Sequence, residues 1–211
     1  MANLDRKNQA KNIEYFFGII NASPIEDMSI TELTVLVMGY FDLLEAFKDQ
    51  MPFLEDLSQK RQKAIVMINS SNHREIEKVR SIFIELQATT RRRLEAVIAA
   101  MKEGKQKTPE IVSSKVRYKV FANLQDDKFV SVFEPEKISA DLDLESELKC
   151  LDIVTDAILV GYGKKPSQLG ECEKTDCSNL FFKYTPSSKF CSTRCSNAVQ
   201  QAKFKKRTPK A

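Results

Sequence analysis

Residues 172–195 read CEKTDCSNLFFKYTPSSKFCSTRC. Four of the chain's five cysteines stand here, as Cys172-x4-Cys177 and Cys191-x3-Cys195. Four thiolates in two close pairs can surround one tetrahedral Zn²⁺, with Zn–S near 2.3 Å. The x4 loop can bring Cys172 and Cys177 to one ion as a knuckle. Cys191 and Cys195 are four apart, which places both on one face of a helix. Two other readings of the same residues are open: a pair of disulfides, or unpaired thiols in a core. The charged and small polar neighbours Glu171, Glu173, Lys174, Asp176, Ser192 and Arg194 disfavour a packed thiol core. Four cysteine ligands leave no open coordination position, so the expected site is structural.

Working outward, Leu180-Phe181-Phe182 predicts a short strand, Thr185-Pro-Ser-Ser188 a turn and Phe190 the returning strand. From Ser192 to Lys206 there is no Pro or Gly, so the chain can continue as a helix. Knuckle, hairpin and a ligand-bearing helix together describe a treble-clef-like finger. From Ser178 to Ala211 there are eight Lys or Arg and no Asp or Glu. The whole chain has 33 basic and 29 acidic residues, so residues 1–177 hold 25 basic and 29 acidic. An acidic body joined to a basic tail points to an anionic partner.

Upstream, Asn72-His-Arg-Glu75 signals a helix start. Ile76, Val79, Phe83, Leu86, Thr90, Leu94, Val97 and Met101 then recur at steps of three or four, with Gly104 as the stop. The opposite face carries Arg91-Arg92-Arg93, read as solvated. Ser29-Ile-Thr-Glu32 is a capping box for a helix through Leu33, Val37, Tyr40, Leu43, Leu44 and Phe47. Pro24 closes an earlier helix, and Pro52 opens another through Leu54, Leu57, Ala64 and Met67. These helices are expected to form an antiparallel bundle. Val116, Tyr118 and Val120 alternate with Arg117 and Lys119; Gln125-Asp126-Asp127 can turn the chain and Phe129–Phe133 can return. This predicts a β-hairpin near 115–134. Asp141 to Gly161 reads as one more helix, with Cys150 as a core residue. The expected fold is mainly α (α+β): a helical domain with a small hairpin over 1–165, and a zinc finger with a basic helix over 166–211.

At the cysteines the chain resembles the CGNR zinc finger. That family has a C-x4-C knuckle, an aromatic strand, an aromatic or basic residue before Cys-Ser, and a Cys-Gly-Asn-Arg ending before a basic helix. The counterparts here are Cys172 and Cys177, Leu180-Phe181-Phe182, Phe190-Cys191-Ser192, Cys195-Ser196-Asn197-Ala198 and Lys203-Phe-Lys-Lys-Arg207. The Gly of the name motif is thus Ser196 and its Arg is Ala198, and Lys183-Tyr184 replaces an Asp usual after the strand. Family members usually carry an N-terminal region called the ABATE domain, and residues 1–165 resemble its layout in pattern. The resemblance implies DNA binding and transcription regulation.

The expected function is therefore a zinc-containing DNA-binding regulator, contacting nucleic acid through Arg194, Asn197, Lys203, Lys205, Lys206 and Arg207. Asn197, Gln200 and Gln201 can reach base edges or simply be solvated. Phe204 is read as packing onto the body or finger rather than stacking on a base. The alternative is an adaptor whose finger grips a protein or RNA; a homodimer through the helical domain is a further expectation. No enzyme is expected: His73 is the sole histidine and there is no GxxxxGK[ST] or GxGxxG. Asp141, Asp143, Glu145 and Glu147 sit at a helix start, where carboxylates favour the dipole. No apolar run reaches the roughly 18–20 residues of a membrane span. The polar first eight residues lack a signal-peptide stretch, which predicts a cytoplasmic location.

Overall fold

The computed structural model describes residues 2–22, 24–45, 57–106, 111–112, 118–133 and 163–207. Among the described residues four helices precede the sheet: α1 (Ala2–Ile20), α2 (Ile30–Glu45), α3 (Leu57–Ile68) and α4 (His73–Lys102). Each packs on the next, and α4 also packs on α1. Their apolar stripes meet in one core containing Phe16, Phe17, Leu33, Val37, Tyr40, Leu44, Ala64, Ile68, Val79, Phe83, Leu86 and Leu94. These include most of the positions that helical spacing selects, because steps of three and four put side chains on one face. Phe47, Pro52, Leu54 and the predicted 141–161 helix with Cys150 lie outside the described residues.

Helix ends follow local chemistry. The Ser29 hydroxyl accepts from the Glu32 N–H at 3.2 Å, and the Ser29 N–H donates to the Glu32 carboxylate at 2.8 Å. This reciprocal box satisfies two donors that the helix itself cannot. Asn72 caps α4 by accepting from the Arg74 N–H at 3.1 Å. At the other end Gly104 takes φ +66, the Lys105 N–H donates to Ala100 O and the Gly104 N–H to Met101 O. That is a Schellman ending, which favours glycine because a Cβ is strained at positive φ.

Two contacts between helices depend on residue pairs far apart in sequence. The Tyr15 hydroxyl donates to Val35 O and Leu36 O, and its ring lies where a Cβ on Gly39 would be. Only glycine permits that approach. Arg80 is 9% exposed despite its charge. Its guanidinium donates to the carbonyls of Ile25, Glu26 and Met28, around the 3-10 turn Ile25–Asp27, and to Glu77 at 3.1 Å. Spacing alone assigns Arg80 no inward role. It is buried because three carbonyls converge there and a forked cation can satisfy them together.

The predicted hairpin is β2 (Tyr118–Asn123) and β3 (Lys128–Phe133), antiparallel, with Tyr118 opposite Phe133 and Ala122 opposite Phe129. A third strand, β1 (Ile111–Val112), pairs with β2 and was not expected from the sequence. Ala122 and Phe129 are buried in the helical core. In the turn, Asp127 has φ 51, and its carboxylate accepts from the Ser167 N–H at 2.9 Å and the Ser167 hydroxyl at 2.7 Å. The hairpin tip thereby holds the entry to the cysteine segment.

Arg80→Met keeps most of the side chain's bulk but removes the donor to the Glu26 and Met28 carbonyls and leaves Ile25 O with the Met28 N–H alone. A loss of about 2–4 kcal/mol is expected, since unmet buried polar groups cost about 1–3 kcal/mol each with partial relief by water. Urea unfolding of the full chain checks it; a midpoint equal to the parent's would refute the role.

Candidate metal centre

The cysteine segment opens with a 3-10 turn at Pro166–Gln168 and strand β4 (Leu169–Glu171). The knuckle follows, then β5 (Leu180–Phe182) and helix α5 (Thr193–Arg207). The partner of β5 differs from the expected one. Leu180–Phe182 pairs with β4, with Leu169 opposite Phe182 and Glu171 opposite Leu180, and not with Phe190. The knuckle is therefore the loop of the hairpin. The ladder extends into it, where the Cys172 N–H donates to Asn179 O at 2.9 Å. The Lys189 carbonyl accepts instead from the Glu173 N–H at 2.9 Å. Apolar burial explains the choice: Leu169, Leu180 and Phe182 all enter the helical core, whereas Phe190 is half-buried beside the sulfurs.

The four sulfurs lie within 4.8 Å of one another. Cys177 to Cys191 is 3.7 Å, Cys191 to Cys195 is 3.6 Å and Cys195 to Cys177 is 3.9 Å. A tetrahedron with Zn–S of 2.3 Å has edges of about 3.8 Å, so the cluster fits one zinc ion. A disulfide needs sulfurs about 2.05 Å apart, and all four cysteines are free, which removes the disulfide reading. Zinc bound here would hold the knuckle to the start of α5 and, with four protein ligands, would have a structural role.

Local groups prepare the thiols. Ser192 is the N-cap of α5: its hydroxyl accepts from the Cys195 N–H at 3.3 Å. Cys191 precedes the helix, which begins at Thr193, so only Cys195 lies in the first turn. A hydrogen bond from Ser192 lowers the Cys195 pKa, and the helix N-terminus also favours thiolate. Burial raises the Cys177 thiol, and burial reinforced by Cys195 and Cys177 pushes Cys191 up to about 12. Asn179 Nδ2 lies 3.9 Å from the Cys191 sulfur, placed as a donor towards it. Lys174, paired with Asp176 at 2.7 Å, adds a cation beside Cys177 and Cys195.

The hairpin is fastened to the helices by residues that spacing does not mark. The Asn21 amide donates to Leu180 O at 2.8 Å and accepts from the Leu180 N–H at 2.9 Å, completing β5 at the end of α1. Phe17 and Phe182 meet edge to face with centroids 5.3 Å apart. Arg91, expected to be solvated, donates to Ser178 O at 2.6 Å and to Glu95 at 2.8 Å. Gln87 donates to Ile19 O and Ala22 O, fixing the chain segment that presents Asn21.

Of the proposed nucleic-acid contacts, Arg194, Asn197 and Lys203 are exposed on α5, as are Gln200 and Gln201. Lys205, Lys206 and Arg207 belong to the same helix; their side chains lie outside the described residues. Phe204 is 72% exposed, which corrects the expectation that it packs onto the body or finger. The half-buried face of α5 is Cys195, Ser196, Ala198 and Val199, which leaves Phe204 on the outer side.

Because Leu169, Leu180 and Phe182 belong to the helical core, zinc removal should weaken more than the finger. Chelation, or Cys191→Ser, is expected to abolish stoichiometric zinc and lower the thermal midpoint of the helical signal. An unchanged midpoint would show that the hairpin stays docked without metal. The pH response should differ in sign between the two forms. In metal-free protein Cys191 holds its proton more tightly folded, at about 12, than unfolded, near 9.0. That contribution is present below about pH 9 and is lost as pH rises towards 12. Zinc ligation needs thiolates, so the loaded protein instead loses metal and stability as pH falls. Melts across pH with metal and with chelator check both directions.

No curated protein matches the chain at a significant level. Residues 168–208 match the family model for the CGNR zinc finger, which spans β4, the knuckle, β5 and α5. With four sulfurs placed for one zinc ion inside that match, the chain carries a zinc finger of the CGNR type.

Proposed function

We propose that this protein binds duplex DNA through α5 and acts as a transcriptional regulator, with the zinc cluster as the support that orients the helix. The observation that carries the reading is the outer surface of α5. Arg194, Asn197, Gln200, Gln201 and Lys203 are all exposed, and none of their side chains makes a hydrogen bond or ion pair to another described residue. Polar side chains held on a rigid helix without protein partners remain available to a ligand. The segment from Ser178 onward has eight cations and no carboxylate, so the complementary ligand is an anion. A helix about 10–12 Å wide suits a major groove about 12 Å wide.

Ala198 stands where the family pattern has Arg. Arg194 lies four residues earlier on the same helix and lines the same cleft as Ala198, beside Phe190 and Cys191. It supplies a cation one turn away from the missing one. No helix among the described residues is long and apolar enough to cross a membrane.

The test is a salt series on duplex binding by zinc-loaded full-length protein. Counterion release makes log affinity fall with log salt in proportion to the phosphates neutralised. Replacing Lys203, Lys205, Lys206 and Arg207 by Ala should make that slope shallower by up to about four contacts, at about 0.9 each. An unchanged slope would refute the proposal. Tight binding of single-stranded RNA with no duplex binding would favour the adaptor reading.

A further inference from the structure

We infer that Asn179 is a positioning residue of the metal centre: its side-chain amide donates to the Cys191 sulfur and ties the two cysteine pairs together. The inference concerns zinc binding and is independent of the DNA reading. Three of the four cysteines meet this one residue. Its carbonyl accepts from the Cys172 N–H at 2.9 Å, and its own N–H donates to the Cys177 sulfur. Both bonds come from the backbone and stay within the knuckle. The side chain crosses to the other pair, where Nδ2 lies 3.9 Å from the Cys191 sulfur. Its reach is fixed from both sides. Arg91 on α4 donates to the Ser178 carbonyl at 2.6 Å, and Asn21 at the end of α1 bonds the Leu180 N–H and carbonyl. A donor anchored by both chain neighbours loses little freedom when it meets the sulfur.

Cys191 is the ligand with most use for such a donor. A thiolate ligand has no proton of its own and still carries negative charge, so it accepts hydrogen bonds, and the groups that donate them orient it. Cys177 has the Asn179 N–H. Cys195 has the Ser192 hydroxyl and a place in the first turn of α5. The Ser192 oxygen is also 4.0 Å from the Cys191 sulfur, but a hydroxyl has one proton, and the Cys195 contact uses it. Cys191 stands before the helix begins. Among the described residues that leaves the Asn179 amide as the side-chain donor facing Cys191, and its NH₂ group has protons to give. Asn179 is half-buried, where such a bond competes less with water. A carboxylate of the same shape would present only acceptors to the sulfur and add a like charge.

The experiment measures zinc affinity of the full-length protein by competition with a chromophoric chelator, at one pH and one salt concentration. The parent is compared with Asn179→Ala and Asn179→Asp, both of which keep the backbone bonds to Cys172 and Cys177. Asn179→Ala is expected to bind zinc about tenfold more weakly, the usual scale for losing a group that supports a metal ligand, and Asn179→Asp more weakly still. A second measurement replaces zinc by cobalt(II) and records the sulfur-to-metal charge-transfer band. A hydrogen bond lowers the energy of the sulfur lone pairs, so its loss in Asn179→Ala should move the band to longer wavelength. A loss of zinc affinity below about threefold in Asn179→Ala overturns the inference. So does tighter binding by Asn179→Asp than by Asn179→Ala, since the donor would then not be what matters. Weaker zinc binding with an unmoved cobalt band also overturns it, because the side chain would then act on folding and not on the sulfur.

Discussion

Four sulfur atoms within 4.8 Å of one another cannot all carry charge unless a cation joins them. That constraint organises the end of this chain. Without metal, burial makes Cys177 and above all Cys191 hold their protons; zinc bound here would turn the same crowding into four bonds, and the protons would leave. The bonds tie a loop between two three-residue strands to the first turn of a fifteen-residue helix. Strands that short have little cohesion alone, so the position of α5 depends on the sulfurs and on what the hairpin rests against.

The hairpin rests on the helices through shape and hydrogen bonding together. Asn21 satisfies both backbone groups of Leu180, which places a strand-like partner at the end of a helix. Phe182 enters beside Phe17, and an aromatic edge contact of this kind adds about 0.5–1.5 kcal/mol to the burial. Arg91 and Gln87 secure the two sides. The cluster is thus held against a packed core, and the helix leading from it starts in a defined direction. The DNA contact proposed for α5 would benefit from that, since orientation lost as entropy on binding reduces affinity.

Much of this was legible before any coordinates. The capping box at Ser29 and Glu32, the helix stop at Gly104 and the hairpin turn at 125–127 follow from chemistry within a few residues. The four ligands were legible because thiolate spacing is tightly constrained by one small ion. What failed was long-range. Phe190 was assigned as the partner of Leu180–Phe182 because it was the next aromatic segment, whereas the real partner lies on the other side of the knuckle. Arg91 was placed in solvent because its acceptor, Ser178 O, is 87 residues away. The sequence reading packs Phe204 onto the body or finger, but the half-buried side of α5 is defined by Cys195, Ser196, Ala198 and Val199. Ser192 as the N-cap could have been found, since a serine directly before a helix carries that signal.

Sequence alone determined the helices, their inward stripes, the zinc ligands and the excess of positive charge after Ser178. Each depends on periodicity, spacing or composition, which are properties of neighbouring residues. Tertiary structure alone decided that Arg80 would be buried against three carbonyls, that Asn21 would complete β5, and which face of α5 would look outward. These depend on which groups lack partners once the chain has closed on itself. A buried carbonyl or a strand edge exists as an unmet demand only in the folded molecule, so no local pattern announces the residue that meets it.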